Sequence, residues 1–240
     1  MGELSGRGAK WVNHFAPLHY LVFIGRSRKL MSKPALVQAG FAQNHFRSMS
    51  KQQDVRRGFE RYVHLTLDEA PRILKAKLTA GFPHFCIRVP TSSVESAAYD
   101  LCRYNVAMTR QLRREGKTGF PESRSNGRYY AGMQIPVART RADKAAMLAE
   151  HHRTRVMIEV LVLDFICLPD DTQLVSYAPE DETLARKVLD RLMVPWEVVL
   201  SKPPGPYPRN AKYAQQVAQF VDRALSDPTW LGNGLEFDRV

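Results

Sequence analysis

A single carboxylate inside an apolar stretch constrains this chain more than any other feature. Residues 156–163 read Val-Met-Ile-Glu-Val-Leu-Val-Leu, and Glu159 is the charged member. The stretch is β-branched-rich and too short for a stable helix, so it predicts a strand covered on both faces. An unpaired buried carboxylate costs several kcal/mol, so such a residue is usually paired or used in chemistry. The alternative is an edge strand on which Glu159 meets solvent beside Arg153 or Arg155.

The length and the order of the predicted elements bound the architecture. A chain of 240 residues with 44% hydrophobic residues can bury a proper core. Short strands alternate irregularly with helices, which predicts an α+β fold rather than a doubly wound sheet. We expect one main domain over residues 1–202. A proline-rich connector and a C-terminal helix, within residues 203–240, should pack on it.

The predicted elements place the candidate residues. Strands are predicted over residues 18–24, 61–67, 82–89, 156–163, 173–177 and 196–200. Helices are predicted from Ser32 to Ala39, over residues 68–78, from Ser92 through Leu101 with a Ser92/Glu95 capping box, and over residues 142–153 and 180–192. Residues 116–132 are glycine-rich and predict a long loop.

Charge suggests the class of partner. The net charge is +11, and residues 1–61 and 103–155 are strongly basic, whereas residues 164–202 carry more acids than bases. Such asymmetry predicts a basic face for a polyanion, with nucleic acid as the first candidate and a merely solvated basic surface as the alternative. The loop at 116–132 interleaves Phe120, Tyr129 and Tyr130 with Arg124 and Arg128, a pattern suited to stacking unpaired bases.

Several classes of site are not indicated. Cys86, Cys102 and Cys167 form no CxxC motif and sit in apolar sequence, so we expect small core residues in a reducing compartment and no metal centre. The sequence contains no GxxxxGK[ST], GxGxxG, HExxH or GxSxG motif. The first residues lack the apolar core of a signal peptide, and no apolar run has membrane-spanning length. We therefore expect a cytoplasmic protein that does not bind a membrane.

Several short segments, each weak alone, gain specificity from their order and spacing. They are His19-Tyr20, Ala39-Gly40-Phe41, Ser48-Met49-Ser50, the run from Gln52 to Arg57, the run from Tyr62 to Leu67, Tyr104-Asn105-Val106-Ala107, and the run from Ile158 to Val162. Together they make residues 15–195 resemble the DarT-type ADP-ribosyltransferases, which use NAD to ADP-ribosylate bases in nucleic acid. The resemblance implies an ADP-ribosyltransferase-like split mixed β-sheet core with flanking helices.

The resemblance also implies roles for individual residues. Glu159 corresponds to the family's catalytic glutamate, and Arg57, rather than Arg56, would hold the NAD diphosphate or orient the acceptor base. The other residues expected to contact NAD are His19, Tyr20, Tyr62 and His64, although His64 could also face solvent. The residues expected to contact the acceptor are Asn105, Arg56, Arg124, Arg128, Tyr129 and Tyr130. NAD would be consumed as a co-substrate, and no metal would be needed.

The function implied by the resemblance is ADP-ribosylation of a base in single-stranded DNA. It also implies a toxin paired with an antitoxin protein, or an anti-phage system. One alternative keeps the reaction and makes RNA the acceptor. Another is a non-catalytic basic nucleic-acid-binding protein in which Glu159 only orders the core.

Overall fold

A computed structural model describes residues 2–40, 59–67, 69, 72–103, 137–154 and 158–230. The strands of this part are β1 (Trp11–Pro17), β2 (Lys29–Met31), β3 (Tyr62–Thr66), β4 (His84–Pro90), β5 (Tyr99–Arg103), β6 (Val137–Ala138), β7 (Ile158–Leu163), β8 (Phe165–Cys167), β9 (Gln173–Ser176) and β10 (Glu197–Leu200). The α-helices are α1 (Leu21–Ser27), α2 (Lys33–Gln38), α3 (Arg72–Thr79), α4 (Thr91–Glu95), α5 (Arg141–Thr154), α6 (Pro179–Leu192) and α7 (Ala211–Ser226).

One mixed sheet organises these elements. Its strand order is β10-β9-β4-β1-β3-β7-β5-β6, and β2 pairs separately with β8. Neighbouring strands are antiparallel except β9 and β10, which are parallel. The predicted α+β class is therefore confirmed. Because β7 lies between β3 and β5, the edge-strand alternative for the strand that carries Glu159 is wrong.

The sheet consists of two blocks joined at a narrow seam. β1 pairs with β4 along its whole length, from Trp11 to Pro17. On its other side β1 pairs with β3 through Asn13 and Thr66. Beyond that pair the ladder between β1 and β3 does not continue, so the block β10-β9-β4-β1 meets the block β3-β7-β5-β6 at this position.

The main core lies on the face of the sheet that is covered by α1, α6 and α7. Val12, Ile87, Val160 and Leu174 point to this face and are fully buried. Side chains alternate between the two faces of a strand, so Asn13, Arg88 and Glu159 point to the opposite face. The apolar core and the polar candidate residues are thereby separated by the thickness of the sheet.

The opposite face carries two smaller apolar clusters. Beside β4 and β9, helix α3 buries Leu74 and Leu78 against Cys86 and Val175. At the other end of the sheet, the cluster consists of Phe59, Cys102 and Leu161. The second cluster lies on the strands next to Glu159 and supplies apolar surroundings for it.

The proline-rich connector is anchored on α6 by a buried carboxylate. Asp181 is 1% exposed; its Oδ1 accepts from Arg209 Nε at 2.9 Å, and its Oδ2 accepts from the Tyr207 hydroxyl at 2.5 Å. Helix α7 then packs on α1 and α6, and Phe220 at its centre is fully buried. The division of the chain at residue 202 stays a prediction.

Two predicted elements are wrong. Residues 18–24 form a 3₁₀ turn, Leu18–Tyr20, followed by α1, and the first strand comes earlier, at Trp11–Pro17. The predicted helix from Ser92 through Leu101 stops at Glu95, and Leu101 belongs to β5. Glu95 does not form a capping box.

The Glu95 carboxylate instead accepts hydrogen bonds from the amides of Leu4 and Ser5, at 2.7 and 2.9 Å. The expectation for Cys167 is also wrong, because this side chain is exposed, whereas Cys86 and Cys102 are buried as predicted. The start of α2 is confirmed: the Ser32 hydroxyl accepts from the Ala35 amide. No helix in the described ranges is long and apolar enough to cross a membrane.

Candidate functional site

Glu159 is the second residue of the interior strand β7, which has a neighbouring strand on each side. It pairs with Thr66 on β3 and with Cys102 on β5, and it is 5% exposed. A carboxylate so placed is shielded from bulk water by two strands and is held by the most buried strand of the sheet. The expectation that Glu159 is buried is confirmed.

His64 contacts this carboxylate directly. Its Nδ1 lies 3.2 Å from Glu159 Oε1, and its Nε2 lies 3.2 Å from the backbone oxygen of Phe59. His64 is two residues before Thr66, so it is the diagonal neighbour of Glu159 on the same face of the sheet. The His64 side chain is 26% exposed against 7% for that of Glu159, so the histidine forms the solvent side of the pair.

His14 lies on the seam between the two blocks of the sheet. Its Nδ1 is 3.0 Å from the backbone oxygen of His64. Burial lowers the pKa of His14; the bond to the His64 carbonyl opposes this, and the nearby His64 ring adds to the lowering. His14 pairs with Ile87 on the main-core face, so its ring contacts the backbone of His64 rather than the Glu159 face. The sequence reasoning did not single out His14.

A row of paired residues crosses the sheet at the level of Glu159. Thr66 pairs with Asn13, and Asn13 pairs with Arg88. Asn13 is 2% exposed, and its amide donates to the Thr66 carbonyl at 3.4 Å. The Cys86 thiol donates to Asn13 Oδ1 at 3.5 Å. This polar row links the acid to the other block across the seam.

Tyr62 lies on the same face as His64 and Glu159 but further along β3. It pairs with Leu163, at the far end of β7, and its ring is 5.8 Å from that of Phe59. The face therefore presents, along one direction, an acid, a histidine and a half-buried tyrosine. Such a line can hold an extended polar ligand in contact with the carboxylate.

His19 and Tyr20 follow the end of β1, in the 3₁₀ turn Leu18–Tyr20. Glu159 is level with Asn13, whereas His19 follows the end of β1 at Pro17, and the strand from Asn13 to Pro17 alone spans about 13 Å. His19 is 7% exposed, and its ring lies 4.3 Å from that of Tyr20 and 5.0 Å from that of Phe220 on α7. Burial raises the pKa of Tyr20. Both residues occupy the aromatic packing beneath α7.

Comparison with solved structures decides the fold. A DarT from Thermus sp. 2.9 in complex with ADP-ribosylated single-stranded DNA superposes with a TM-score of 0.55 at 12% identity, over 81% of this chain and 95% of the other. The same DarT with NAD⁺ gives 0.51 at 11% identity, over 81% and 96%. A Thermosipho africanus DarTG with ADP-ribose gives 0.54 at 9%, over 80% of this chain and 50% of the other. The fold is that of a DarT-like ADP-ribosyltransferase.

The similarity to DarT is found by comparing structures and not by comparing sequences. No family sequence model matches the chain, and a comparison with curated protein sequences finds no match. The DarT-like fold confirms the resemblance on which the sequence reasoning rested and the expected mixed sheet with flanking helices. At such low identity, the roles of single residues must be argued from their own geometry.

Several residues that the sequence associated with the DarT-like site lie outside the described ranges. They are Arg56, Arg57, Asn105, Arg124, Arg128, Tyr129 and Tyr130. Their assignments to the diphosphate, to the acceptor base and to the nucleic-acid strand stay predictions. Within the ranges that are described, no group of three or more His, Cys, Asp or Glu side chains is arranged to hold a metal ion.

The described part of the site can support a definite chemistry. A carboxylate in apolar surroundings, held by a histidine, can stabilise a positive charge that develops next to it more strongly than it could in water. The same carboxylate can accept a proton from a nucleophile. Charge stabilisation and proton acceptance are both needed when a leaving group departs from the anomeric carbon of a sugar and a nucleophile replaces it.

Proposed function

We propose that this chain transfers ADP-ribose from NAD to a base of single-stranded DNA. The observation that carries the proposal is the position of Glu159: it is buried on an interior strand of a DarT-like sheet and paired with His64. Burying a carboxylate costs free energy, and such a residue is usually paired or used in chemistry.

The proposed reaction breaks one bond and forms one. The bond between the ribose anomeric carbon and the nicotinamide nitrogen breaks, and its electron pair stays with nicotinamide. Positive charge develops on the ribose, and Glu159 stabilises it through the adjacent ribose hydroxyl. A nitrogen of the acceptor base then bonds to the anomeric carbon and gives its proton to the Glu159 carboxylate.

Two kinds of observation support NAD and single-stranded DNA as the substrates. The Thermus DarT that shares this fold is seen with NAD⁺ and with ADP-ribosylated single-stranded DNA. This chain carries a net charge of +11, which favours a polyanionic partner. Attack by a nitrogen of the base-pairing edge requires an unpaired base, because a duplex occupies that edge in hydrogen bonds.

The NAD-binding residues that we propose follow from the line of polar side chains. Tyr62 and His64 lie on the Glu159 face and can contact the half of NAD that reacts. We assign the diphosphate to Arg57, because a guanidinium pairs well with phosphate oxygens. We assign His19 and Tyr20, which follow the end of β1, to the NAD ribose at the edge of the cleft.

We further propose that the chain acts as a toxin that an antitoxin protein restrains. The family resemblance implies this role, and the solved DarTG chain with the same fold is about twice the length of the matched region. Modification of DNA bases blocks copying of the strand, so an enzyme of this kind needs a restraint in the cell that makes it.

The deciding experiment is incubation of the full chain with NAD and matched pools of DNA and RNA oligonucleotides. Mass spectrometry should show DNA strands heavier by one ADP-ribose, with release of one nicotinamide per strand modified. Labelling confined to RNA would replace the acceptor and keep the reaction. Salt-sensitive oligonucleotide binding without nicotinamide release would identify a non-catalytic nucleic-acid-binding protein and end the proposal.

A further inference from the structure

His64 stands between two groups that can only accept hydrogen bonds. Its Nδ1 is 3.2 Å from the Glu159 carboxylate, and its Nε2 is 3.2 Å from the Phe59 carbonyl oxygen. A neutral imidazole carries one N–H and can donate to one of them, whereas the imidazolium ion carries two and satisfies both. The geometry therefore favours the doubly protonated ring.

From this geometry we infer that His64 is a positioning residue: as an imidazolium ion anchored on Phe59, it holds the Glu159 carboxylate oriented toward the reacting sugar. The inference rests on the proposed function for its catalytic consequence. Its structural part, a charge-assisted hydrogen bond between two side chains, stands on the distances alone.

The anchor to Phe59 makes the contact directional. Phe59 is 9% exposed and packs with Cys102 and Leu161, so its backbone oxygen is held by a small apolar cluster. A ring fixed at Nε2 presents Nδ1 in one direction, and Glu159 Oε1 lies in that direction. Without the anchor, a partly exposed histidine would sample several rotamers, and the carboxylate would lose a defined orientation.

The charged and titratable groups around His64 are few in the described ranges. Glu159 faces it from β7, and His14 approaches its backbone from β1. Asp100 on β5 lies in the same row, because Leu161 pairs with both His64 and Asp100, but its carboxylate is 3.5 Å from Arg139. On β3 itself the neighbour on this face is Tyr62. Glu159 is thus the carboxylate that the His64 ring contacts directly.

The consequence for catalysis is a dependence on the protonation of His64. The imidazolium form is present at low pH and is lost as pH rises, so kcat should decline on the alkaline side through one deprotonation. The NAD concentration needed for half-saturation should change far less, since the interaction serves the transition state rather than the binding of NAD.

Two substitutions at His64 separate positioning from packing. In His64→Asn, the amide nitrogen takes the place of Nδ1, so the donor to Glu159 is kept. In His64→Gln, the amide takes the place of Nε2, so the donor to Phe59 is kept and the one to Glu159 is lost. We expect His64→Asn to retain most of the wild-type kcat without the alkaline decline. His64→Gln should lose about 10- to 100-fold in kcat, the value of a hydrogen bond to a charged group.

The matched control is His84→Asn. His84 also lies on the sheet and contacts a backbone oxygen through Nδ1, that of Phe82 at 3.2 Å, but it is at the far end of β4. The kcat and the pH profile of the His84→Asn variant should match those of the wild type. Equal losses in His64→Asn and His64→Gln, or an unchanged alkaline decline in His64→Asn, would overturn the inference.

A measurement that needs no turnover tests the inference separately from the proposed function. Nitrogen NMR of His64 at neutral pH should show both ring nitrogens protonated in the wild type, and one of them unprotonated in Glu159→Gln. A neutral ring in the wild type would overturn the inference even if the enzyme is active. If the wild type releases no nicotinamide with any oligonucleotide, the proposed function fails, and the NMR result still decides whether His64 and Glu159 form the ion pair.

Discussion

Asn13 and Glu159 lie in the same row of the sheet because Thr66 pairs with both of them. The row crosses the seam at the position where β1 and β3 are joined. Glu159 is therefore aligned with the junction of the two blocks. Its position along the strands is fixed by its pairing with Thr66, which in turn pairs with Asn13.

The first prediction concerns Glu159. Glu159→Gln should reduce ADP-ribose transfer by about two to four decades, because the carboxylate acts on a charge that exists in the transition state. NAD affinity and the fold should largely survive, which titration calorimetry and circular dichroism can check. Glu197→Gln is the control, since Glu197 lies at the exposed edge of the sheet on β10. Transfer by Glu159→Gln near the wild-type rate would remove Glu159 from the mechanism.

The second prediction compares Arg57 with Arg56. Arg57→Ala should abolish most transfer to the base, whereas Arg56→Ala should matter less, because neighbours in an extended segment project to opposite sides. Nicotinamide release and oligonucleotide labelling, measured in parallel, check both variants. Equal mild losses would mark the pair as a surface patch, and a loss confined to Arg56→Ala would shift the assignment by one residue.

The third prediction concerns the acceptor. Single strands should be labelled and duplexes spared, because an unpaired base can stack on an aromatic ring, worth roughly 1 to 3 kcal/mol per base. Replacing both Tyr129 and Tyr130 with alanine should weaken oligonucleotide binding and leave NAD hydrolysis by water largely unchanged. Binding should also weaken steeply with salt. Labelling of duplex and single strand to the same extent would show that this loop does not present the base.

The fourth prediction concerns the anchor of the connector. Asp181→Ala should lower the free energy of unfolding by about 3 kcal/mol, because it leaves Arg209 and Tyr207 without their buried partner. Asp222→Ala is the control: its carboxylate pairs with Lys187 at 2.6 Å, and both side chains are more than half exposed. Asp222→Ala should lower the free energy of unfolding by about 0.5 kcal/mol. Urea unfolding measures both, and equal costs would contradict the anchoring role of Asp181.

The fifth prediction is a dependence of stability on pH. Burial lowers the pKa of His84 to about 4, although its bond to the Phe82 carbonyl opposes this. In the unfolded chain a histidine takes up its proton near pH ~6.5. Between these values the unfolded state binds more protons, so the His84 contribution is complete above the upper value and is lost as pH falls toward the lower one. In His84→Gln, the free energy of unfolding should fall less steeply than in the wild type as pH is lowered over this range. Urea unfolding at several pH values measures this, and equal pH dependence in the two proteins would refute the assignment.

The sequence predicted the strand that carries Glu159 and the burial of this residue, because a β-branched run with one acid is informative within a few residues. It failed at residues 18–24, where a mostly apolar run proved to be a turn and a helix packed under α7. Periodicity does not separate a buried strand from a buried helix in a short run with few polar residues. The contact of His14 with the His64 backbone was not predicted because it depends on the pairing of β1 with β3, which are distant in sequence.

Partners that are distant in sequence explain the remaining failures. Glu95 has the spacing of a capping box with Ser92, yet it binds amides near the N-terminus, at Leu4 and Ser5. Local spacing cannot reveal that competition. The contact between His64 and Glu159 likewise depends on the register between β3 and β7, which the sequence alone does not provide.

The seam between β1 and β3 offers a practical boundary for redesign. The block with β3, β7, β5 and β6 carries Glu159 and His64, whereas the block with β10, β9, β4 and β1 rests on α6 and the anchored connector. A designer who wishes to change the acceptor can therefore vary the first block and keep the second as a fixed support. The Asn13–Thr66 pair is the one described joint in the ladder between them that such a hybrid must preserve.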